Sequence, residues 1–297
     1  MGAPASSPAG GRIRAALKAC ATRLGYYSRP TFLIIGTQKG GTVALRKYLA
    51  RHPNVVPARK KEIGYFDQDT LHRRGEAWYH GHFPLPHRLG RHGVTFEATP
   101  EYLYYPEAAQ RIFSYDPRVK LIVLLREPVE RAFSAWNMFR TLRHEQPDYL
   151  RRLLPECDPM LQDSLGRMLS RESFPAFGEA VVEEIDGIRS GSAALEPGYV
   201  RRGVYHEQLR RFLKCFAREQ LLILESARLK KDLIKVLGEV VQFLNLPAFQ
   251  GPPADLPLFH SGRYEHHIAE ETRAFLREFY RPHNDELYDL LGRDLGW

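Results

Sequence analysis

One segment, residues 31–45, constrains the fold more than any other part of the chain; it reads TFLIIGTQKGGTVAL. Its apolar run, 32–35, is long enough for one buried strand of a parallel sheet. A loop with three glycines follows at 36–42, and the pattern from Val43 to Leu49 predicts a helix. A strand, a glycine loop and a helix N-terminus together present backbone N–H groups to an anion such as a phosphate. The sequence therefore predicts an α/β fold with an anion site on this loop.

The loop departs from the usual nucleotide-binding motif of NTPases. Gly36 and Gly41 fit the spacing G-x-x-x-x-G, after which Lys and then Ser or Thr are expected. Here Thr42 and Val43 follow instead, and Lys39 precedes the paired glycines. Because the hydroxyl that would ligate Mg²⁺ is missing or shifted, the loop favours a metal-free user of a phosphorylated nucleotide over a metal-dependent NTPase. A glycine-rich turn without a ligand is the alternative that the loop alone leaves open.

Composition and length exclude few fold or function classes. A chain of 297 residues can form one large α/β domain or two smaller ones. The net charge of +8 suits an anionic ligand, although it also serves solubility. The 3 cysteines are scattered, with neither metal-ligand spacing nor a disulfide framework, so a reducing compartment is expected.

The N-terminal part reads as a flexible tail over residues 1–28, followed by a single domain over 29–297. No apolar run approaches the ~20 residues of a transmembrane helix. Basic residues at Arg14, Lys18 and Arg23 interrupt any secretory signal core. We therefore expect a cytoplasmic protein without a transmembrane segment, with attachment at a membrane surface as the alternative.

Three further apolar runs predict buried strands, at 94–99, 119–125 and 220–225. Helical patterns follow them; they lie at 106–115, from Pro128 onward, at 204–216, 229–244, 270–280 and 284–291. The proline-rich stretch 144–197 shows one amphipathic piece, near 177–188, and is interpreted as an insertion.

Arg126 ends the most hydrophobic strand, and Ser134 follows on the next helix, which Pro128 opens. A basic residue at the carboxyl end of a parallel strand lies where open α/β sheets hold their ligands. Together the two side chains could hold a second phosphate. In the alternative, Arg126 pairs with Glu127 or Glu130 and Ser134 faces solvent.

Glu62 follows three cations, Arg59, Lys60 and Lys61, in a loop-like stretch at 52–67. A carboxylate in such a position is either a member of a solvated charge cluster or a functional group. The residues alone leave both interpretations open.

Five motifs occur in one order: IIGTQKGGTVAL, KKEIGYFD, EATPEYLY, VKLIVLLREPVERAFSAW and YRPHNDELYDLLGRDLGW. In this order they resemble the carbohydrate sulfotransferases of the heparan sulfate type. The chain looks most similar to the glucosaminyl O-sulfotransferases, to the sulfotransferase half of the N-deacetylase/N-sulfotransferases, and to bacterial relatives of both. The resemblance covers about residues 31–297 and is weakest between 140 and 200.

This resemblance implies a P-loop-like, three-layer α/β fold with a central parallel sheet flanked by helices. It implies 3′-phosphoadenylyl sulfate (PAPS) as donor, no metal, no nucleic-acid partner, and a carbohydrate acceptor with a hydroxyl or amine, possibly anionic. The donor's 5′-phosphosulfate would lie on the loop formed by Lys39, Gly40, Gly41, Thr42 and Val43. Its 3′-phosphate would be bound by Arg126 and Ser134, and the segment with Gly262 and Arg263 would close over the nucleotide.

The resemblance also implies catalytic roles for Lys39 and Glu62. Sulfuryl transfer is an in-line displacement in which charge builds on the leaving phosphate, and Lys39 would neutralise it. Glu62 would accept the proton of the attacking group, a task worth ~10²–10⁴-fold in rate. If Glu62 is not the base, His52, His80 and Asp67 are the next candidates.

Three departures from the family pattern concern the acceptor side and the lid. Gly64 stands where His is usual, Ala98 where several members have Lys, and Ser261 where the late segment has Lys. The acceptor is therefore less determined than the donor, and the insertion at 144–197 is expected to shape the acceptor side. Two other function classes compete: a P-loop nucleotide or small-molecule kinase, and a non-enzymatic polyanion-binding protein.

Overall fold

In the computed structural model the described residues are 20–22, 24–154, 159–192, 197–249 and 266–297. Their strands form one parallel five-stranded sheet. The strands are β1 (Phe32–Gly36), β2 (Val55–Pro57), β3 (Val94–Ala98), β4 (Lys120–Leu125) and β5 (Leu221–Glu225). Across the sheet the order is β2-β3-β1-β4-β5.

Helices connect and cover these strands. They are α1 (Thr42–Leu49), α2 (Asp69–His72), α3 (Gly75–His80), α4 (Ala108–Tyr115), α5 (Pro128–Glu145), α6 (Pro147–Leu153), α7 (Pro159–Ser170), α8 (Phe177–Arg189), α9 (Tyr205–Leu213), α10 (Arg228–Lys231), α11 (Leu233–Phe243) and α12 (Glu270–Leu291). The predicted α/β fold with a central parallel sheet flanked by helices is confirmed.

Both faces of the sheet are buried, as continuous apolar strands require. Leu33 and Ile35 of β1 belong to a core cluster that includes side chains of α4 and α9. Phe32 and Ile34, which alternate with them, belong to a second cluster with side chains of α1 and α11. Alternate side chains of one strand thus pack against helices on opposite faces of the sheet.

The order of the strands creates a crevice at one edge of the sheet. After β1 the chain builds β2 and β3 on one side, and then crosses to the other side of β1 for β4 and β5. Because all strands are parallel, their carboxyl ends lie on the same side of the sheet, and the crevice opens there. The direction in which strands are added reverses between β1 and β4. The residues following β1 and β4 therefore lie side by side there.

The structure differs from the sequence predictions at several elements. The short edge strand β2 pairs with β3 within the stretch expected to be a loop. The last two predicted helices form one continuous helix, α12, with Pro282 inside it. Buried side chains on both sides of the proline, Tyr280 and Leu287, hold the helix together where the ring removes one hydrogen bond. The 229–244 pattern is divided into α10 and α11, and the 144–197 stretch contains α6, α7 and α8.

Candidate functional site

A cleft of about 1130 Å³ opens at the carboxyl edge of the sheet. Its walls come from the segments that follow each of the five strands, and from α1 and α5. Seven residues singled out from the sequence line it; they are Lys39, Gly41, Thr42, Val43, Glu62, Arg126 and Ser134. Gly262 and Arg263 lie outside the described residues. The predicted site residues from four separate segments thus share one cavity.

Gly40 lies behind this surface, where the loop is pressed against β4. A Cβ atom built on Gly40 would come within 2.5 Å of the Leu124 carbonyl oxygen. The Thr37 N–H donates to that same oxygen over 3.0 Å, and the Gly40 N–H donates to the Thr37 carbonyl over 2.8 Å. Only glycine permits this close approach, so Gly40 shapes the loop without lining the cleft.

The loop ends at the N-terminus of α1. Gly41, with φ of +97°, precedes the helix and has no side chain that could cap its first N–H groups. Thr42 is buried and Val43 is exposed at this helix start. The N-terminal end of a helix carries partial positive charge, which favours an anion in the adjoining cleft.

Lys39 and Arg126 concentrate positive charge in the cleft. The Arg126 Nη1 donates a hydrogen bond to the Lys39 carbonyl oxygen over 3.2 Å, which fixes the two segments together. Burial lowers the pKa of the Lys39 ammonium, and the neighbouring cations, chiefly Arg126 and Lys61, lower it further. Burial and neighbouring positive charges both destabilise the charged form of Lys39, so an anion bound beside it would stabilise that form.

The alternative pairing of Arg126 is not what the described residues show. The Glu127 carboxylate caps α5 by accepting from the N–H groups of Val129 and Glu130, over 3.2 and 2.7 Å. Glu130 pairs with Arg273 at 2.8 Å. Since no ion pair to Arg126 occurs among the described residues, its guanidinium stays available to a ligand.

Ser134 is buried, with 1% of its surface exposed, and still lines the cleft. It lies two helical turns after Arg126 on α5, as its spacing predicted. The alternative in which Ser134 faces solvent is therefore wrong. Behind Arg126, the Tyr205 hydroxyl donates to its carbonyl oxygen over 2.7 Å, so α9 supports this corner of the cleft.

Glu62 pairs with Lys61, whose Nζ lies 2.5 Å from the Glu62 Oε1. The Glu62 side chain is 46% exposed and lines the cleft. Its backbone is left-handed, with φ of +55°, and its N–H donates to the Ala98 carbonyl over 3.2 Å. The backbone of β3 thus holds a carboxylate and an ammonium at the mouth of the same cleft that contains Lys39.

The three alternative bases do not line this cleft. The His52 Nε2 bonds to the Pro247 carbonyl over 2.9 Å, and the His80 Nε2 bonds to the Tyr115 hydroxyl over 2.8 Å. Asp67 is buried, and burial raises its pKa well above the usual range. Among the candidates from the sequence, Glu62 alone combines a carboxylate with a place in the described cleft wall.

A family model described as a sulfotransferase domain matches residues 29–256. The chain belongs to the sulfotransferase domain family. The predicted family and the predicted transferase activity are thereby confirmed, and among the competing function classes the match favours a sulfotransferase over a kinase or a polyanion-binding protein.

Curated relatives include carbohydrate sulfotransferases. The chain is 30% identical to heparan sulfate glucosamine 3-O-sulfotransferase 6 of Mus musculus, over 96% of this chain and 79% of that protein. It is 29% identical to bifunctional heparan sulfate N-deacetylase/N-sulfotransferase 3 of Homo sapiens, over 88% of this chain and 30% of that protein. It is 26% identical to membrane-associated sulfotransferase kil1 of Dictyostelium discoideum, over 90% of this chain and 66% of that protein.

A solved structure shares the fold. The sulfotransferase from Alicyclobacillus acidocaldarius superposes with a TM-score of 0.61 at 26% identity, covering 90% of this chain and 98% of that one. The likeness extends over most of both chains, so the two proteins share the sulfotransferase fold.

This sulfotransferase has further cleft residues that the sequence analysis did not single out. Glu101 lines the cleft and accepts from the Gln38 Nε2 over 3.2 Å, while the buried Arg202 pairs with its other oxygen. Gln38 directly precedes Lys39, so this chain of contacts braces the loop. The sequence signal that could have indicated Glu101 is its position just after β3, as the second acidic residue of EATPEY at 97–102. Other such residues in the cleft wall are Lys47, Lys230, Lys231 and Trp297.

The stretch 144–197 was expected to shape the acceptor side. Its described residues do not line the main cleft. They contribute instead to a separate cavity of about 240 Å³ between α7 and α8. That this stretch shapes the acceptor side stays a prediction.

The described residues lack two features, a cluster of metal ligands and a membrane-spanning helix. They contain no group of three or more His, Cys, Asp or Glu side chains arranged to hold a metal ion. Within the same residues, no helix has both the length and the apolar character needed to cross a membrane.

Proposed function

We propose that this sulfotransferase moves a sulfuryl group from PAPS to a hydroxyl or amine of a carbohydrate, with Glu62 as general base. One observation carries the proposal. Lys39 after β1 and Arg126 after β4 meet in a single cleft, and Glu62 lines the same cleft close enough to Lys39 to act on its charge. The cleft therefore offers anion-binding groups and a proton acceptor to the same bound molecules.

The donor half of the cleft fits a molecule with phosphates at two positions. Lys39 and the N-terminus of α1 form one cationic corner, suited to the 5′-phosphosulfate. Arg126, in the loop before α5, and the buried Ser134 of α5 form a second corner, suited to the 3′-phosphate. The donor, when bound, supplies an activated sulfuryl group next to a good leaving group.

Each of these residues then has a defined task. The Lys39 ammonium neutralises the charge that builds on the leaving oxygen, and its desolvated position makes this interaction stronger than in water. Arg126 and Ser134 orient the nucleotide, which brings the reacting groups into line. Glu62 accepts the proton as the attacking group bonds to sulfur, and Lys61 beside it holds its carboxylate in place.

A carbohydrate acceptor is supported by the names of two relatives, which describe heparan sulfate as their substrate. Lys61 in the wall next to Glu62 would also suit an acceptor that carries negative charge. We further propose that residues 29–297 act as one domain behind a tail at 1–28. A cytoplasmic location stays a prediction, with attachment at a membrane surface as its alternative.

The experiment that tests this function is a transfer assay with sulfur-labelled PAPS. The purified protein is incubated with a panel of glycans, including N-sulfated and desulfated heparan sulfate, and with simple phenols and lipids. We expect label on a glycan, and no label from a parallel reaction with γ-labelled ATP. Transfer to a phenol or lipid without transfer to any glycan would refute the carbohydrate acceptor. Transfer from ATP alone would refute the donor.

A further inference from the structure

We propose that Glu97, a fully buried carboxylate of β3, is a positioning residue that holds the backbone of Glu62 for proton transfer. The inference rests on the proposed role of Glu62 as general base and assigns how that base is kept in place. Glu97 is fully buried and does not belong to the cleft wall.

The Glu97 carboxylate is surrounded by donors. Its Oε1 accepts from the hydroxyls of Tyr79 and Tyr102, over 2.6 and 2.8 Å. Its Oε2 accepts from the Thr99 hydroxyl over 2.7 Å, and the Ile63 backbone N–H also bonds to the carboxylate. A buried carboxylate with four donors is fully satisfied and therefore rigid.

This cluster reaches the segment that carries Glu62 on its C-terminal side. Ile63 is the next residue and bonds to Glu97 directly. Two positions further on, the Tyr65 N–H donates to the Tyr102 hydroxyl over 3.1 Å, and that hydroxyl donates in turn to Glu97. Glu97 thus ties down the backbone after Glu62 through one direct and one relayed contact.

The backbone of Glu62 needs such support because it is left-handed. A residue other than glycine with φ near +55° has a strained backbone, which persists only where its surroundings hold it. Its own N–H bonds to the Ala98 carbonyl, which is the residue after Glu97. The end of β3 therefore fixes residues 62, 63 and 65 in a conformation that the isolated segment would leave.

Stability alone gives no reason for a carboxylate at this position. Burial raises the pKa of Glu97, and the surrounding hydroxyls lower it only in part, so the ionised group is costly here. An apolar side chain in the middle of a parallel sheet would avoid this cost. The carboxylate is the one group that can accept from several hydroxyls and a backbone N–H at once.

Tyr79 and Tyr102 provide a matched pair of variants. Both rings are fully buried, and both hydroxyls donate to the same Oε1. Only Tyr102 also accepts from the Glu62 segment, through the Tyr65 N–H. If the cluster positions Glu62, Tyr102→Phe lowers kcat at least about five-fold more than Tyr79→Phe, because small displacements of a catalytic group cost large factors in rate. The affinity for adenosine 3′,5′-bisphosphate stays equal in both variants, as measured by calorimetry.

A double-mutant cycle separates positioning from plain structure. In the Glu62→Gln background, Tyr102→Phe causes no further loss of kcat if it acts through Glu62. An additive loss would overturn the positioning role of Glu97. Equal kcat values for Tyr102→Phe and Tyr79→Phe, together with a slow Glu62→Gln enzyme, would also overturn that role but would leave Glu62 as the general base. A Glu62→Gln enzyme with normal kcat would overturn both the base and its positioning.

Glu97→Gln gives a second measurement. An amide can accept at one oxygen only, and the Ile63 N–H cannot turn round as a hydroxyl can. We expect a kcat lowered by about ten-fold or more with unchanged bisphosphate affinity. A folded Glu97→Gln protein with normal kcat would contradict the proposal; if this variant fails to fold, the tyrosine pair still decides it.

Discussion

The side chain of Arg126 donates a hydrogen bond to the backbone carbonyl of Lys39 over 3.2 Å, although 87 positions separate the two residues. The contact joins the loop after β1 to the loop after β4, which are adjacent strands. It also keeps two like charges close together in a partly desolvated cleft. A dianionic or trianionic ligand relieves that repulsion, and the donor predictions below depend on this relationship.

The 3′-phosphate should dominate nucleotide binding. Adenosine 3′,5′-bisphosphate should bind about ten- to a hundred-fold more tightly than AMP, because one charge-assisted contact to Arg126 is worth about 1.5–3 kcal/mol. Arg126→Gln should remove most of this difference. Arg118→Gln, which changes an exposed arginine far from the cleft wall, is the control and should keep it. Equal affinities of the unmodified protein for the two nucleotides, by calorimetry, would contradict the assignment.

Binding should depend on pH through Lys39. The pKa of free Lys39 is lowered by burial and by Arg126, and a bound anion raises it again. At alkaline pH below the usual lysine pKa, binding therefore takes up a proton, and affinity falls as the pH rises. Calorimetry in buffers of different ionisation enthalpy measures that uptake. Lys39→Ala should weaken binding and turnover and abolish the uptake, whereas the surface variant Lys214→Ala should retain it; equal proton uptake by Lys39→Ala would refute the role.

The roles of Glu62 and Lys39 should separate kinetically. Glu62→Gln should lower kcat by ~10² or more while folding and bisphosphate affinity stay nearly unchanged, because a general base acts only in the chemical step. As a mere surface ion pair with Lys61 it would contribute only about 0–1 kcal/mol, and turnover would hardly change. Glu219→Gln, which changes an exposed residue just before β5 that does not line the cleft, serves as the control. Single-turnover kinetics with near-normal rates for Glu62→Gln would exclude the base.

Activity should survive chelation of divalent metals. Val43 stands where a nucleoside triphosphatase places the Mg²⁺-binding hydroxyl, and Lys39 and Arg126 supply the positive charge that a metal would otherwise provide. We expect unchanged initial rates of sulfuryl transfer in EDTA. Loss of activity in EDTA with recovery on adding Mg²⁺ would mean that the loop has been misinterpreted.

The fold should lose stability on mild acidification through His80. This side chain is buried, stacks on Tyr27 and bonds to the Tyr115 hydroxyl, and burial lowers its pKa to about 4. Its contribution is therefore fully present above the unfolded pKa of about 6.5 and is lost as the pH falls toward 4. Urea unfolding at pH 7 and pH 5 should show a smaller loss of unfolding free energy for His80→Gln than for the unmodified chain. The same loss in both would assign the acid sensitivity elsewhere.

Much of the sheet follows from the sequence alone. Runs such as 32–35 and 119–125 are almost entirely apolar and bounded by loop residues, so they require burial on both faces and predict parallel strands. Strand β2 was not predicted, because three residues of an edge strand carry no periodic signal. Its position is determined by pairing with β3. The continuity of α12 was not predicted either, since buried contacts around Pro282 outweigh the tendency of proline to end a helix.

The same division holds for the site. The glycine loop and Arg126 are recognisable, because an anion-binding turn and a charge at the end of a strand are local features. Glu62 was indicated only by the family resemblance, since the residues around it also fit a solvated charge cluster. Hydrophobic periodicity reports which residues are buried and is silent about which strands are neighbours. That Lys39 meets Arg126 depends on the β1–β4 adjacency, and that Glu97 holds the segment after Glu62 depends on the packing of Tyr79 and Tyr102 beneath it. Those contacts join residues distant in the chain, so only the tertiary structure decided them.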